Sequence, residues 1–135
     1  MKIVVLKFGG TSVGSISRIK NVARIIINHI KKKYKVIVVS SAMSGQTNKL
    51  VNLTREISNN FTPSEYDSVV AAGEQISCSL IAGRLNEEGY SSRSWLAWQV
   101  PIFTTGNYSY SRIVNINKSK ITKYLKKGGI PILAG

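Results

Sequence analysis

Residues 7–14 read Lys-Phe-Gly-Gly-Thr-Ser-Val-Gly and follow directly on an apolar run, Ile3, Val4, Val5 and Leu6. A strand that ends in a lysine and a glycine pair and then leads into a helix suits one kind of chemistry. Glycines lack a Cβ, so the backbone comes close to a bulky anion, and they are free to take φ > 0. Backbone N–H groups and the positive end of the next helix face that anion, and Lys7 adds a full charge. A bare Gly-Gly after a strand also fits an ordinary tight turn, but with Lys7, Thr11 and Ser12 attached the stretch reads as a candidate phosphate site. The pattern is not a Walker A loop, in which the lysine follows the glycines. Nor does it have the Gly-x-Gly-x-x-Gly spacing of a dinucleotide fold.

Carboxylates are scarce. The chain has one aspartate, Asp67, and five glutamates. Phosphoryl transfer uses carboxylates to hold magnesium and orient lysines. Asp67 belongs to Ser64-Glu65-Tyr66-Asp67, whose spacing predicts a helix-start cap. Glu74, in Gly73-Glu74-Gln75-Ile76-Ser77, is either a ligand group or a solvated helix residue, and Gly73 beside it favours close approach of something. Thr47 fits either a ligand hydroxyl or the N-cap of a helix carrying Leu50. Cys78, among Ile76, Leu80 and Ile81, reads as core. His29 reads as surface or satisfied packing, and Trp95 and Trp98 as core anchors. Tyr108 and Arg112 carry no assigned role.

The elements that must position these groups follow from periodicity. Residues 2–7 predict a strand. Ile19, Val22, Ala23, Ile26 and Ile30 recur at helical steps, which predicts a helix from an N-cap at Ser17 to about Lys33. Residues 36–40 are continuously apolar, as in a parallel strand buried on both faces. A loop over residues 41–48 leads to a helix with Leu50, Leu53 and Ile57 on one face. Pro63 marks a break, and Ser64 opens a long helix through Leu85, stopped at Gly89. Residues 92–96 and 100–104 read as extended, 117–127 as a helix and 130–133 as a final strand. This alternation predicts an α/β fold, a mostly parallel sheet flanked by helices, with ligands at the carboxyl ends of the strands.

At 135 residues one domain is expected, burying roughly two thirds of its unfolded surface. The single cysteine excludes an internal disulfide and fits a reducing cytoplasm. No apolar run approaches the ~20 residues of a membrane span, and the N-terminus is charged too soon for a secretory signal. The net charge of +13 predicts non-specific polyanion affinity. It does not predict a nucleic-acid ligand. Lys31, Lys32, Lys33 and Lys35, and then Lys118, Lys120, Lys123, Lys126 and Lys127, fall late in predicted helices and are not interleaved with stacking aromatics.

Lys7-Phe8-Gly9-Gly10-Thr11-Ser12, together with VIVVSSAMSGQTNKL over residues 36–50, GEQIS over 73–77 and QVPIFT over 99–104, resembles the aspartate kinases of the amino-acid kinase superfamily, in matching order. The resemblance runs from Lys2 to Gly135. It implies an αβα sandwich and ATP-dependent phosphorylation of the β-carboxylate of L-aspartate to 4-phospho-L-aspartate. That reaction opens the aspartate-derived route to lysine, diaminopimelate, threonine and methionine. Lys7, as catalytic residue, and Gly9, Gly10 and Ser12 would face the phosphates of ATP; Ser41, Thr47 and Glu74 would hold aspartate, the glutamate on its ammonium. ATP would act with Mg2+, whose ligands the resemblance places beyond residue 135. It also implies that residues 1–135 are the N-terminal portion of a catalytic domain, without its C-terminal half and ACT regulatory domains. A complementing C-terminal fragment or a homo-oligomer is then the expected partner. The alternatives are a non-catalytic remnant and a basic polyanion-binding protein. The last strand, residues 130–133, is expected at an open sheet edge awaiting the other half.

Overall fold

The computed structural model describes residues 2–135. In chain order the elements are β1 (Ile3–Phe8), α1 (Ile16–Lys31), β2 (Lys35–Ser40), α2 (Gln46–Ile57), α3 (Pro63–Glu87), β3 (Ser92–Trp95), β4 (Ile102–Thr104), β5 (Ile113–Ile116), α4 (Ser119–Lys126) and β6 (Ile130–Ala134). β1, β2, β6 and β3 form one parallel sheet in that order. β4 and β5 form a separate antiparallel hairpin with an irregularity between Phe103 and Thr104.

Alternation sorts the strand side chains onto two faces. Val36 and Val38 of β2 and Ile130 and Ile132 of β6 pack with Ile19, Val22, Ala23 and Ile26 of α1 and with Cys78, Ile81 and Leu85 of α3. Ile37 and Leu133, one residue out of phase, pack on the other face against Trp95, Val100 and Ile121 of α4. Helices thus lie on both sides of the sheet, as the αβα reading expects. The Trp95 and Tyr124 rings meet edge-on at 5.7 Å.

Several local expectations are corrected. α1 is capped by Ser15, whose side chain accepts from the Arg18 N–H, not by Ser17. Pro63 opens α3 behind an N-cap at Thr62, so Ser64 is already helical. Asp67 caps nothing: its carboxylate accepts from the Ser109 N–H at 2.7 Å and from the Ser109 hydroxyl at 3.0 Å, tying the hairpin tip to α3. Ser109 sits at φ 62°, and two charge-assisted bonds hold that left-handed conformation in place. Leu53 and Ile57 are exposed while Thr54 is the buried residue of α2. Trp95 is core, but Trp98 is 66% exposed. Lys118 and Lys120 lie at the start of α4, not late in it. The last strand is not an edge either: β6 sits between β2 and β3, and the flanking strands are β1 and β3.

Candidate functional site

β1 and β2 run side by side with Lys7 opposite Val39 and Phe8 opposite Ser40, so their two following loops leave the same end of the sheet together. The loops are fastened to each other. The Ser41 N–H donates to the Phe8 carbonyl at 3.0 Å and the Ser44 N–H to the Gly10 carbonyl at 3.1 Å. A Cβ on Gly10 would lie 3.0 Å from the Ala42 carbonyl oxygen, and one on Gly14 would lie 3.2 Å from the Ser44 Cβ. Neither Gly9 nor Gly10 takes a positive φ; the glycines that do are Gly45, Gly89 and Gly128. Gly10 is therefore required by the approach of the second loop rather than by its own dihedrals. Gly9 differs: its Cβ position is 3.8 Å from Lys7 Nζ, so the exposed ammonium lies over the first glycine.

Ser12 is placed less favourably. Its N–H already donates to the Gly9 carbonyl at 2.9 Å, which leaves the exposed hydroxyl as its free group. The turn continues through Thr11, whose carbonyl accepts from Arg18 Nη1 at 2.5 Å.

α3 closes the site from the helix side. Glu74, Ser77 and Cys78 lie at i, i+3 and i+4 and share one face. Glu74 Oε1 accepts from the Ala42 N–H at 3.3 Å. The Ser77 hydroxyl donates to the Ser41 carbonyl at 2.7 Å and accepts from the Ser40 hydroxyl at 3.3 Å. A Cβ on Gly73 would fall 2.9 Å from the Ala42 Cβ, so glycine lets α3 lie directly on the second loop. Burial pushes the Cys78 thiol up to about 12, against the Ser40 carbonyl contact and with the Glu74 charge acting in the same direction as burial. It is a protonated core group, as its sequence context implied, and no nucleophile.

Thr47 is not the cap of α2. That place is held by Gly45 at φ 78°, which offers no side chain, and Thr47 stands in the first turn. The Gln46 N–H donates to the Met43 carbonyl at 2.9 Å, while the next N–H groups of the first turn, at Thr47 and Asn48, lack a side-chain cap and can face an anion. Lys7, Gly9, Gly10, Ser41 and Glu74 are brought together through these loop contacts; Ser12 and Thr47 stand at the margins. Gly73 does mark a close approach, that of the second loop; Ser40 and Ser77 were missed as positioning residues, although the i, i+3 spacing of Ser77 from Glu74 was visible. A small cleft of about 170 Å3 beside Glu74 is lined by Gln75, Leu96, Trp98 and Gly135. Among the described residues no group of three or more His, Cys, Asp or Glu is placed to hold a metal ion.

Alanine at Gly10 tests the loop contact. Its Cβ would press on a backbone oxygen that has no rotamer to yield, so one loop must shift by a few tenths of an ångström. The expected result is a loss of about 1–3 kcal/mol in urea unfolding. Unchanged stability would show that the two loops are free to separate.

The family model for the amino acid kinase family matches residues 2–135. The aspartokinase of Rickettsia felis is 46% identical over 138 residues, an alignment that covers 100% of this chain and 34% of that protein. The solved aspartate kinase from Synechocystis superposes with a TM-score of 0.81 at 32% identity, over 100% of this chain and 22% of its own. E. coli aspartokinase III, solved in complex with aspartate and ADP, shares the fold with a TM-score of 0.82 at 19% identity, over 98% of this chain and 40% of its own. The chain spans about a third of the length of the curated aspartokinases it matches. A lysine over a glycine turn, an acid-bearing helix laid on the second loop, a parallel sheet beneath both and these likenesses agree: the chain belongs to the amino acid kinase family.

Proposed function

We propose that this chain carries the aspartate-binding and phosphate-facing part of an ATP-dependent aspartate kinase, which forms 4-phospho-L-aspartate and ADP. The observation that carries the reading is the fastening of the Lys7–Gly10 turn to the residue 41–45 loop, with Glu74 reaching that same loop. One cation and one carboxylate are thereby held at a single sheet end. In this reading residues 1–135 are the N-terminal portion of the catalytic domain. Coverage of only a third of the related aspartokinases supports that division, and the ligands of the E. coli enzyme support aspartate and an adenine nucleotide as substrates.

The roles follow from charge. An aspartate carries an ammonium and two carboxylates. Glu74 is the acid placed to meet the ammonium, while the Ser41 and Thr47 hydroxyls and the uncapped start of α2 suit a carboxylate. The β-carboxylate oxygen attacks the γ-phosphorus in line; the new O–P bond forms as the bond to the ADP oxygen breaks. Lys7 beside Gly9, with the Ser12 hydroxyl nearby in the turn, offsets negative charge on the transferring group. The residues present do not supply a magnesium site, since Glu74 is engaged with Ala42 and no acid cluster stands with it. No step is assigned to that ion.

Coupled ADP release tests the reading, run on the chain alone and with a co-expressed polypeptide corresponding to the remaining two thirds of a related aspartokinase. The expected result is no measurable aspartate-dependent release from the chain alone and clear release from the pair. N-acetyl-L-aspartate should be inactive, because the cation that Glu74 meets is gone. Equal rates with N-acetyl-L-aspartate or L-glutamate would overturn the substrate assignment.

A further inference from the structure

The lysines of α4 gain a setting in the fold that their sequence order conceals. Ser119, Thr122, Lys123, Lys126 and Lys127 lie at helical intervals on one face, opposite the buried Ile121 and Leu125. That face forms one wall of an open cleft of about 800 Å3, and the β4–β5 hairpin forms the other. Lys118, Lys123, Lys126 and Lys127 line it together with the ring of Phe103, which is 53% exposed. Tyr124, the aromatic among these lysines in sequence, packs against Trp95 outside the cleft lining, so tertiary structure supplies the ring that faces the cleft.

Three further features point to an acceptor-rich anion. No acidic residue lines the cleft. The acids of the chain that form contacts do so elsewhere: Glu87 and Glu88 with Arg84, Asp67 with Ser109, Glu65 with Ser64 and Glu74 with Ala42. Asn115 and Asn117, also in the lining, each use the side-chain oxygen to accept a neighbouring backbone N–H, from Ile116 at 2.9 Å and Ser119 at 3.1 Å. Their amide N–H groups are left as donors. Finally, Lys118 stands at the N-cap of α4, and the first turn holds no acid. Positive charge therefore adds to the positive helix end instead of offsetting it.

We propose that the cleft between the β4–β5 hairpin and α4 binds a nucleoside polyphosphate, with Lys118, Lys123, Lys126 and Lys127 around the phosphates and Phe103 against the base. Lysine ammoniums without acid partners concentrate field in a concave site. The cleft volume falls in the usual range of roughly 300–1,000 Å3 for small-molecule sites. A single aromatic in a bounded cleft suits one nucleotide, whereas single-strand binding uses successive stacking platforms along a groove. This site is separate from the turn after β1 and stands whether or not the kinase reading does.

The test is fluorescence anisotropy with a ribose-labelled ADP at physiological salt. It uses the chain carrying Lys7→Ala, so that the turn after β1 does not contribute. Binding is expected to persist there, to weaken about tenfold or more in Lys123→Gln/Lys126→Gln through loss of two charge-assisted contacts, and to weaken in Phe103→Ala. Inorganic tripolyphosphate should compete, and its affinity should not change in Phe103→Ala. All three side chains are exposed, so folding is checked simply by thermal melts. Without any substitution at the cleft, NMR should show the Asn115 and Asn117 side-chain amides shifting on addition of ADP. The proposal is overturned by no binding at physiological salt, by unchanged affinity in the double variant, or by Asn amides that do not move. It is also overturned if a short single-stranded oligonucleotide binds tighter per phosphate than ADP.

Discussion

Under the proposed function, Lys7→Ala is expected to lower aspartate-dependent turnover by about 10²–10³-fold in any active assembly containing this chain, the usual effect of deleting one preorganised charge-stabilising group. Stability should hardly move. Lys7 is exposed at the end of β1, and its ammonium rests beside Gly9 with no salt bridge among the described residues. Its place is explained by neither packing nor ion pairing. Lys7→Arg is expected to remain impaired, because a broad planar guanidinium does not replace a compact ammonium above a glycine turn. Initial rates of ADP release and a urea melt of each variant separate the two effects. Near-normal turnover in Lys7→Ala would sink the assignment of this residue, and a large fall in unfolding midpoint would make it structural.

The largest expected stability effect lies at Ile132. Its side chain is fully buried, in the middle of β6, and packs among Val38 of β2, Ile26 of α1 and Ile81 of α3. β6 is the strand through which β3 joins β2, so the residue sits where sheet and helix layer meet. Ile132→Ala removes three carbons and leaves a space that backbone pairing on both sides keeps from collapsing. A loss of about 2–5 kcal/mol is expected, read from the midpoint of urea unfolding by far-ultraviolet circular dichroism. A loss below 1 kcal/mol would mean that the centre of the sheet is loosely packed.

Much of this was legible in the chain, for local reasons. The Lys7 to Gly10 turn, α1, β2 and the face of α3 carrying Glu74 follow from periodicities of two and 3.6 and from residue chemistry. Strand order was harder, because pairing partners lie far apart in sequence. Residue type alone did not separate the strands: β1, β2 and β6 all read as continuous apolar runs, and only in the fold are Ile3 and Val5 of β1 exposed while Ile130, Pro131 and Ile132 of β6 are buried. β5 escaped notice because Ile113, Val114 and Ile116 are all exposed, so the hairpin writes no alternation into the sequence. The same limit applies to Trp98 and to Leu53 and Ile57. Apolar character states what a residue tolerates, and tertiary contacts decide whether it is covered. At the site, Glu74 drew notice as an acid beside Gly73 and through the family resemblance, while Ser40 and Ser77 did not, since they hold backbone and each other through their hydroxyls.

The central position of β6 also bears on how the chain acquires its fold. β2 meets β6 through Val38 and Ile132, a separation of 132 − 38 = 94 residues. β3 reaches the sheet through the same strand, at Ser92 and Ile130. Among the described residues neither earlier strand has another partner on that side, so on a ribosome this part of the sheet waits, half-paired, until β6 emerges. A topology closed by such distant contacts has a high contact order and folds slowly. During that wait the open flanks of β2 and β3 are the surfaces that chaperones would be called on to shield.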